Sequence, residues 1–223
     1  MTNTFRLAVL VDGVALEMVE HQGRLYLPVP AKLLSARKEY SIQLSTPNYG
    51  RFEVVVSVDG KDIVSGEAAS EQSRGYVRNP HQDLIIPGWR MNSDEVARFQ
   101  FSPRRGSYAS KMGAGENVGI IGARYYSERE QPVFRGGGDY GICQTRSLPG
   151  HDVGTAFGGR AESRVTTTEF LRKELVSEIF VEYASEERLK KAGIISKPPL
   201  GKVSAFPGDK KITGARPPKG WKG

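Results

Sequence analysis

The sequence predicts an all-β fold: a single β-sandwich of jelly-roll type with one short C-terminal helix and an extended basic, Pro-rich arm. Three observations lead there. Gly (26) and Pro (13) are abundant among 223 residues, and between them lie short stretches rich in Val, Thr, Tyr and Phe, the composition of many short strands joined by turns. Alternation with a period of two recurs along the chain, so one face of each stretch turns to a core. The intervals between turn signals suit a sandwich or barrel rather than βαβ units.

Phe5, Leu7, Val9 and Val11 fall on one face, Asp12-Gly13 turns the chain, and residues 14–19 return as a hairpin. Leu25 and Leu27 suggest a third strand. After a polar connection over residues 35–39, Tyr40, Ile42 and Leu44 alternate, and residues 46–50 (TPNYG) form a turn cluster. The clearest strand follows: Phe52, Val54, Val56 and Val58 point one way, Arg51, Glu53 and Ser57 the other, and Asp59-Gly60 supplies a tight turn into residues 61–65. Further strands are expected at 76–77, 84–86, 96–101, 118–126, 164–170 and 177–183. One helix is expected: Ser185 as N-cap, Glu186 and Glu187 at the positive end, Lys190 and Lys191 at the negative end, and Gly193 to close it. Residues 127–160, with Gly136-Gly137-Gly138 and Gly158-Gly159, read as a long irregular loop region. The domain division is therefore a sandwich over 1–196 and an extended tail over 197–223.

Several phrases between residues 51 and 194 occur in an order that resembles an uncharacterised family of bacterial β-sandwich proteins. They are residues 53–60 (EVVVSVDG) with Gly66 following, Gly75-Tyr76-Val77, Gly88-Trp89-Arg90, residues 96–101 (VARFQF), Ser107-Tyr108-Ala109, residues 117–122 (NVGIIG) and residues 154–158 (GTAFG). The resemblance implies the sandwich fold and no assigned chemistry; the basic tail lies outside it.

No catalytic signature competes with a structural reading. The three histidines, His21, His81 and His151, are far apart, and none has a second His or Cys at ligand spacing; turn or surface positions are expected for them. Cys143 is the single cysteine, which excludes an internal disulfide framework and agrees with a reducing compartment. Ser107 has no elbow motif and no evident base, and its segment (RRGSY) reads as a basic surface loop. Glu53 and Asp59 read as a strand's polar face and a hairpin turn. The glycines at 113, 115, 119 and 122 lack the Gly-Lys-Ser/Thr of a phosphate loop and read as allowing a bulge or close packing within a strand. No cofactor and no metal site is expected. No segment approaches the ~20 apolar residues of a membrane span, and the first residues do not read as a signal peptide.

The charge is concentrated. Residues 197–223 hold seven Lys or Arg and one Asp, a net +6 of the formal +7, which leaves +1 on the other 196 residues. A nearly neutral body with a basic ribbon that cannot build its own core is suited to docking that ribbon elsewhere. Phe206 and Trp221 are the expected apolar anchors, with Lys210, Lys211, Arg216 and Lys219 as the charged contacts. The leading expectation is a non-enzymatic virion component, a minor capsid or penton-type protein of a bacterial virus assembled in the host cytoplasm, whose arm docks on neighbouring protein subunits. Two alternatives stand beside it: a bacterial cytoplasmic module that binds nucleic acid through the tail, and a carbohydrate-active or other enzyme with a site built from loop residues such as Asp139 and His151.

Overall fold

The computed structural model describes residues 4–46, 49–113, 115–129 and 150–195. In chain order the elements are β1 (Arg6–Val11), β2 (Val14–Ala15), β3 (Val19–His21), β4 (Arg24–Val29), α1 (Ala31–Ser35), β5 (Glu39–Ser45), β6 (Phe52–Val58), β7 (Lys61–Asp62), β8 (Tyr76–Arg78), β9 (Leu84–Ile86), β10 (Gly88–Arg90), β11 (Glu95–Pro103), α2 (Tyr108–Lys111), β12 (Ile120–Glu128), β13 (Val153–Glu162), β14 (Arg172–Ser185) and α3 (Glu186–Lys191). The fold is all-β, with two sheets of seven strands each among the described residues.

In the first sheet β11 lies between β13 on one side and β10 and β5 on the other, and β5 continues to β1 and β2. β9 pairs with β5 through Ile42 and Ile86, whereas β10 pairs with β11 through Gly88 and Arg98. The chain changes neighbour at Pro87, which has no N–H to offer either ladder. The second sheet runs β3-β4-β14-β12-β6, with β7 and β8 both on β6. Its pairs are antiparallel except β4 with β14, where Val181 lies opposite Leu25.

Both sheets contribute to one core. Val9, Ile42, Leu44, Phe99 and Phe101 of the first sheet and Leu27, Val54, Val56, Val58, Ile121, Val181 and Tyr183 of the second belong to a single apolar cluster. The alternation read in β6 is realised, since Phe52, Val54, Val56 and Val58 are each at most 3 % exposed. Its other face is also covered, with Glu53 and Val55 buried. Asp59 (φ 54°) and Gly60 (φ 74°) both take left-handed backbone, the requirement of a tight two-residue hairpin turn.

Several expectations require correction. The stretch 164–170 forms no strand; it crosses between sheets with Val165 exposed and Phe170 buried. The strand lies earlier, as β13, mostly inside residues expected to be irregular. Its glycines mislead because they serve contact rather than looping: a Cβ at Gly154 would strike Ser107 and Val118, and one at Gly158 would strike the Glu39 carboxylate. The one-turn helices α1 and α2 are too short to show a helical period. α3 forms as expected, with Ser185 Oγ accepting from Arg188 N–H and Gly193 at φ 73°.

Crowding gives a direct check. A Cβ at Gly88 would run into the backbone carbonyl of Ala97 on the paired strand, whereas Gly113 has open space and only a positive φ of 74°. Gly88→Ala is expected to lose roughly 1–3 kcal/mol to overpacking, and Gly113→Ala about 1 kcal/mol to backbone strain. Urea denaturation of both variants measures this, and equal midpoints would contradict the packing of β10 on β11.

Candidate functional site

The densest group of chemistry-bearing side chains lies between the sheets, around Asp59. The β6–β7 turn places this carboxylate inside the protein, at 0 % exposure. Its Oδ1 accepts from Gly119 N–H (2.8 Å) and from the Tyr183 hydroxyl (2.5 Å), and its Oδ2 accepts from Thr155 N–H (2.8 Å). Thr155 Oγ1 lies 2.6 Å from the Tyr183 hydroxyl and 2.6 Å from that of Tyr40. Tyr40 and Thr155 belong to β5 and β13 of the first sheet, Tyr183 to β14 of the second, so the chain of hydroxyls ties the sheets together.

The order of protons in that chain follows from counting. Each hydroxyl has one proton to give. With Asp59 ionised, Tyr183 donates to Asp59, Thr155 to Tyr183 and Tyr40 to Thr155, and every proton has an acceptor. Burial pushes the Asp59 carboxyl up, to about 6, against the bonds from Tyr183, Gly119 and Thr155 and the neighbouring His151, all of which pull it down. Burial likewise pushes the Tyr40 and Tyr183 hydroxyls up, and the charge of Asp59 adds to this.

His151 is buried at 5 % exposure, a correction to its expected surface position. Its ring sits over Gly119, where a Cβ would collide with it. Nδ1 lies 3.3 Å from the Tyr183 carbonyl and Nε2 3.4 Å from Glu182 Oε2, and Glu182 Oε1 meets Arg24 at 3.4 Å. His81 is exposed in a turn at φ 63°, as expected, and Asp83 beside it accepts from Gln43 (2.8 Å). Asp152 accepts from the N–H (3.1 Å) and hydroxyl of Ser185, not from its neighbour His151. Ser107 is fully buried and caps α2, accepting from Ser110 N–H at 3.2 Å. Glu53 receives both a bidentate pair from Arg172 (2.5 and 2.9 Å) and Gly75 N–H (2.8 Å). Burial raises that carboxyl, but Arg172 and the Gly75 bond outweigh it and hold it below the usual range. Among the described residues, no three His, Cys, Asp or Glu converge as metal ligands would.

Asp59 is sealed from solvent, so its network joins the sheets and meets no substrate. Surface features are what a ligand could meet. A polar groove of about 400 Å³ is lined by Asp12, Arg37, Lys38, Glu39, Tyr40 and Arg98. Lys38 pairs with Asp12 (2.9 Å), Arg98 with Glu39 (3.6 Å), and Glu39 also accepts from Gly159 N–H (2.8 Å). Arg37 occupies the left-handed position that closes α1, at φ 47°, where glycine is the usual choice. With its acids already paired, the groove offers hydrogen bonds rather than acid–base chemistry.

The tail residues Phe206, Lys210, Lys211, Arg216, Lys219 and Trp221 lie outside the described residues, as do Asp139 and Cys143. The Asp59 network has no local signature, because the Asp-Gly pair is itself a sufficient turn signal. Nothing local in the sequence marks a turn that points inward.

Two measurements test the network. The folded protein keeps its Asp59 proton up to about pH 6 and the unfolded chain only to about 4. The folded state therefore binds more protons in that window, and this residue's contribution to stability falls as pH rises through it, by about 3 kcal/mol. Urea unfolding between pH 4 and 7 should show that slope relative to Asp59→Asn; parallel pH profiles would refute it. Tyr183→Phe, which removes a bond to a charge, should cost about 1.5–3 kcal/mol, and Tyr40→Phe about 1 kcal/mol.

Comparison of the chain with models of protein families, with curated proteins and with solved structures returned no match.

Proposed function

We propose that the chain is a non-enzymatic assembly protein, a β-sandwich of jelly-roll type whose basic C-terminal segment docks on neighbouring subunits, and that its place is in a virion as a minor capsid or penton-type component. The observation that carries this reading is the charge distribution, +6 on residues 197–223 against +1 on the rest. The two sheets around one core favour the sandwich.

The root of the tail supports the docking role. α3 lies on the outer side of the second sheet, where Leu189 and Ile194 pack with Tyr26 of β4 and Ala184 of β14, and Ile195 packs against them. An arm that clamps a neighbour must transmit load to its own body. A root held by buried apolar contacts meets that need at little cost in rotamer entropy.

A second reading, nucleic-acid binding through the tail, is favoured by the spacing of Lys202, Lys210, Lys211, Arg216, Lys219 and Lys222 among Phe206 and Trp221. Light scattering of the full chain and of a version ending at Ser196 separates the two. Under the assembly reading the full chain forms a defined oligomer and the shortened one is monomeric. Two monomers would exclude self-assembly through the tail.

A further inference from the structure

Phe157 of β13 stacks on Tyr108 of α2, with ring centroids 4.4 Å apart and planes 19° from parallel. Trp89 lies against both, at 5.7 and 5.1 Å, and against Phe99 at 5.4 Å, so the stack is the outer end of an aromatic series that begins in the core. Trp89 is 2 % exposed and its indole Nε1 is buried without a hydrogen-bond partner among the described residues. Phe157, in contrast, is 43 % exposed. Tyr108 stacks on one face of its ring and Trp89 lies against it at a tilt, and the uncovered part meets solvent.

Cationic residues lie on the same segments as this ring and its partner. Phe157 lies opposite Phe99 and Arg160 opposite Ala97, because the register shifts by one residue between them. Phe99 and Ala97 are both buried core residues, so the bulge puts Phe157 and Arg160 on the same side of β13. Without it, three residues along a strand would point to opposite sides. Lys111 follows Tyr108 by three residues on one helical turn, which places the two on one side of α2. Arg105 is in the 3-10 turn leading into α2. Arg105, Lys111 and Arg160 are exposed, and their side chains bear no ion pair or hydrogen bond among the described residues.

We infer that this flank of the first sheet, Phe157 over Tyr108 bracketed by Arg160 and Lys111, binds single-stranded nucleic acid. A half-exposed ring backed by a second ring is a platform for an unstacked base, and unpaired cations on either side suit the phosphates that follow it. A duplex has no free base face to offer such a ring. The site belongs to the body of the protein and does not depend on the tail.

The test is fluorescence anisotropy of a fluorescein-labelled oligothymidylate with the full-length chain across a salt series. Three full-length variants accompany it: Phe157→Ala, the double variant Lys111→Gln/Arg160→Gln, and a tail variant, Lys210→Gln/Lys211→Gln/Trp221→Ala. Phe157→Ala should weaken binding about tenfold, within the range for loss of one stacked base. The double variant should lower the slope of log K against log salt by about 1.4, two phosphate contacts at ~0.7 each. The two side chains it changes make no hydrogen bond or ion pair among the described residues, so it decides the matter if Phe157→Ala loses stability. The inference fails if only the tail variant weakens binding. It also fails if polyglutamate competes as well as oligothymidylate and Phe157→Ala changes neither, which would make the flank a docking site for acidic protein.

Discussion

A single buried carboxylate sets the relation between the two sheets. Asp59 is delivered by a tight turn at the end of β6 and takes bonds from Gly119, just before β12, from β13 and from β14. Apolar packing between sheets is tolerant of small slides, since one aliphatic contact replaces another. Three directional bonds to one charge are not. A buried charge adds little net stability, because desolvation offsets most of what its partners return. What the arrangement supplies is geometric: β13 and β14 have one relative position at which Thr155 and Tyr183 both reach Asp59, and a shift of either strand leaves an ion unsolvated.

The outer side of the second sheet uses charge differently. Arg124 of β12 pairs with Glu178 of β14, Arg172 reaches over Tyr126 to Glu53 of β6, and Arg51 meets Glu128 at 2.5 Å. Arg172 sits 4.4 Å from the Tyr126 ring centroid, so its guanidinium is held by an aromatic face as well as by a carboxylate. The half-exposed pairs contribute little individually. The buried Glu53 is another matter, because losing Arg172 would strand it. Between residues 172 and 180, β14 has a ladder partner on one side only among the described residues, and the two register shifts against β12 fall there. Bulges that bend such an open edge discourage another strand from pairing with it.

Alternation made most of the strands legible, and with them the core. β1, β5, β6, β9, β11, β12 and α3 fall close to where local pattern puts them, because each carries either a period of two or its own caps. β13 was hidden because its sequence (VGTAFGGRAE) is shaped by contacts with Ser107, Val118 and Glu39, residues distant in the chain. The same holds for the sites. His151 reads as a turn residue until Gly119, 32 positions away, is seen to make room for its ring. Phe157 and Arg160 share a face only because of a bulge, which no periodicity announces. Local signals report what a segment does alone, and both the Asp59 network and the Phe157 flank are made by segments meeting.

The parallel pairing of β4 with β14 has a kinetic consequence. Among the described residues β4 has two neighbours, the short β3 just before it and β14, more than 150 residues later. During synthesis the β3–β4 hairpin therefore waits, without a sheet to join, until nearly the whole described body has been made. Contacts of such sequence separation are formed late and slowly. An exposed hairpin is a hazard in that interval, and Pro28 and Pro30, at the end of β4, limit how far a stray strand could extend along it.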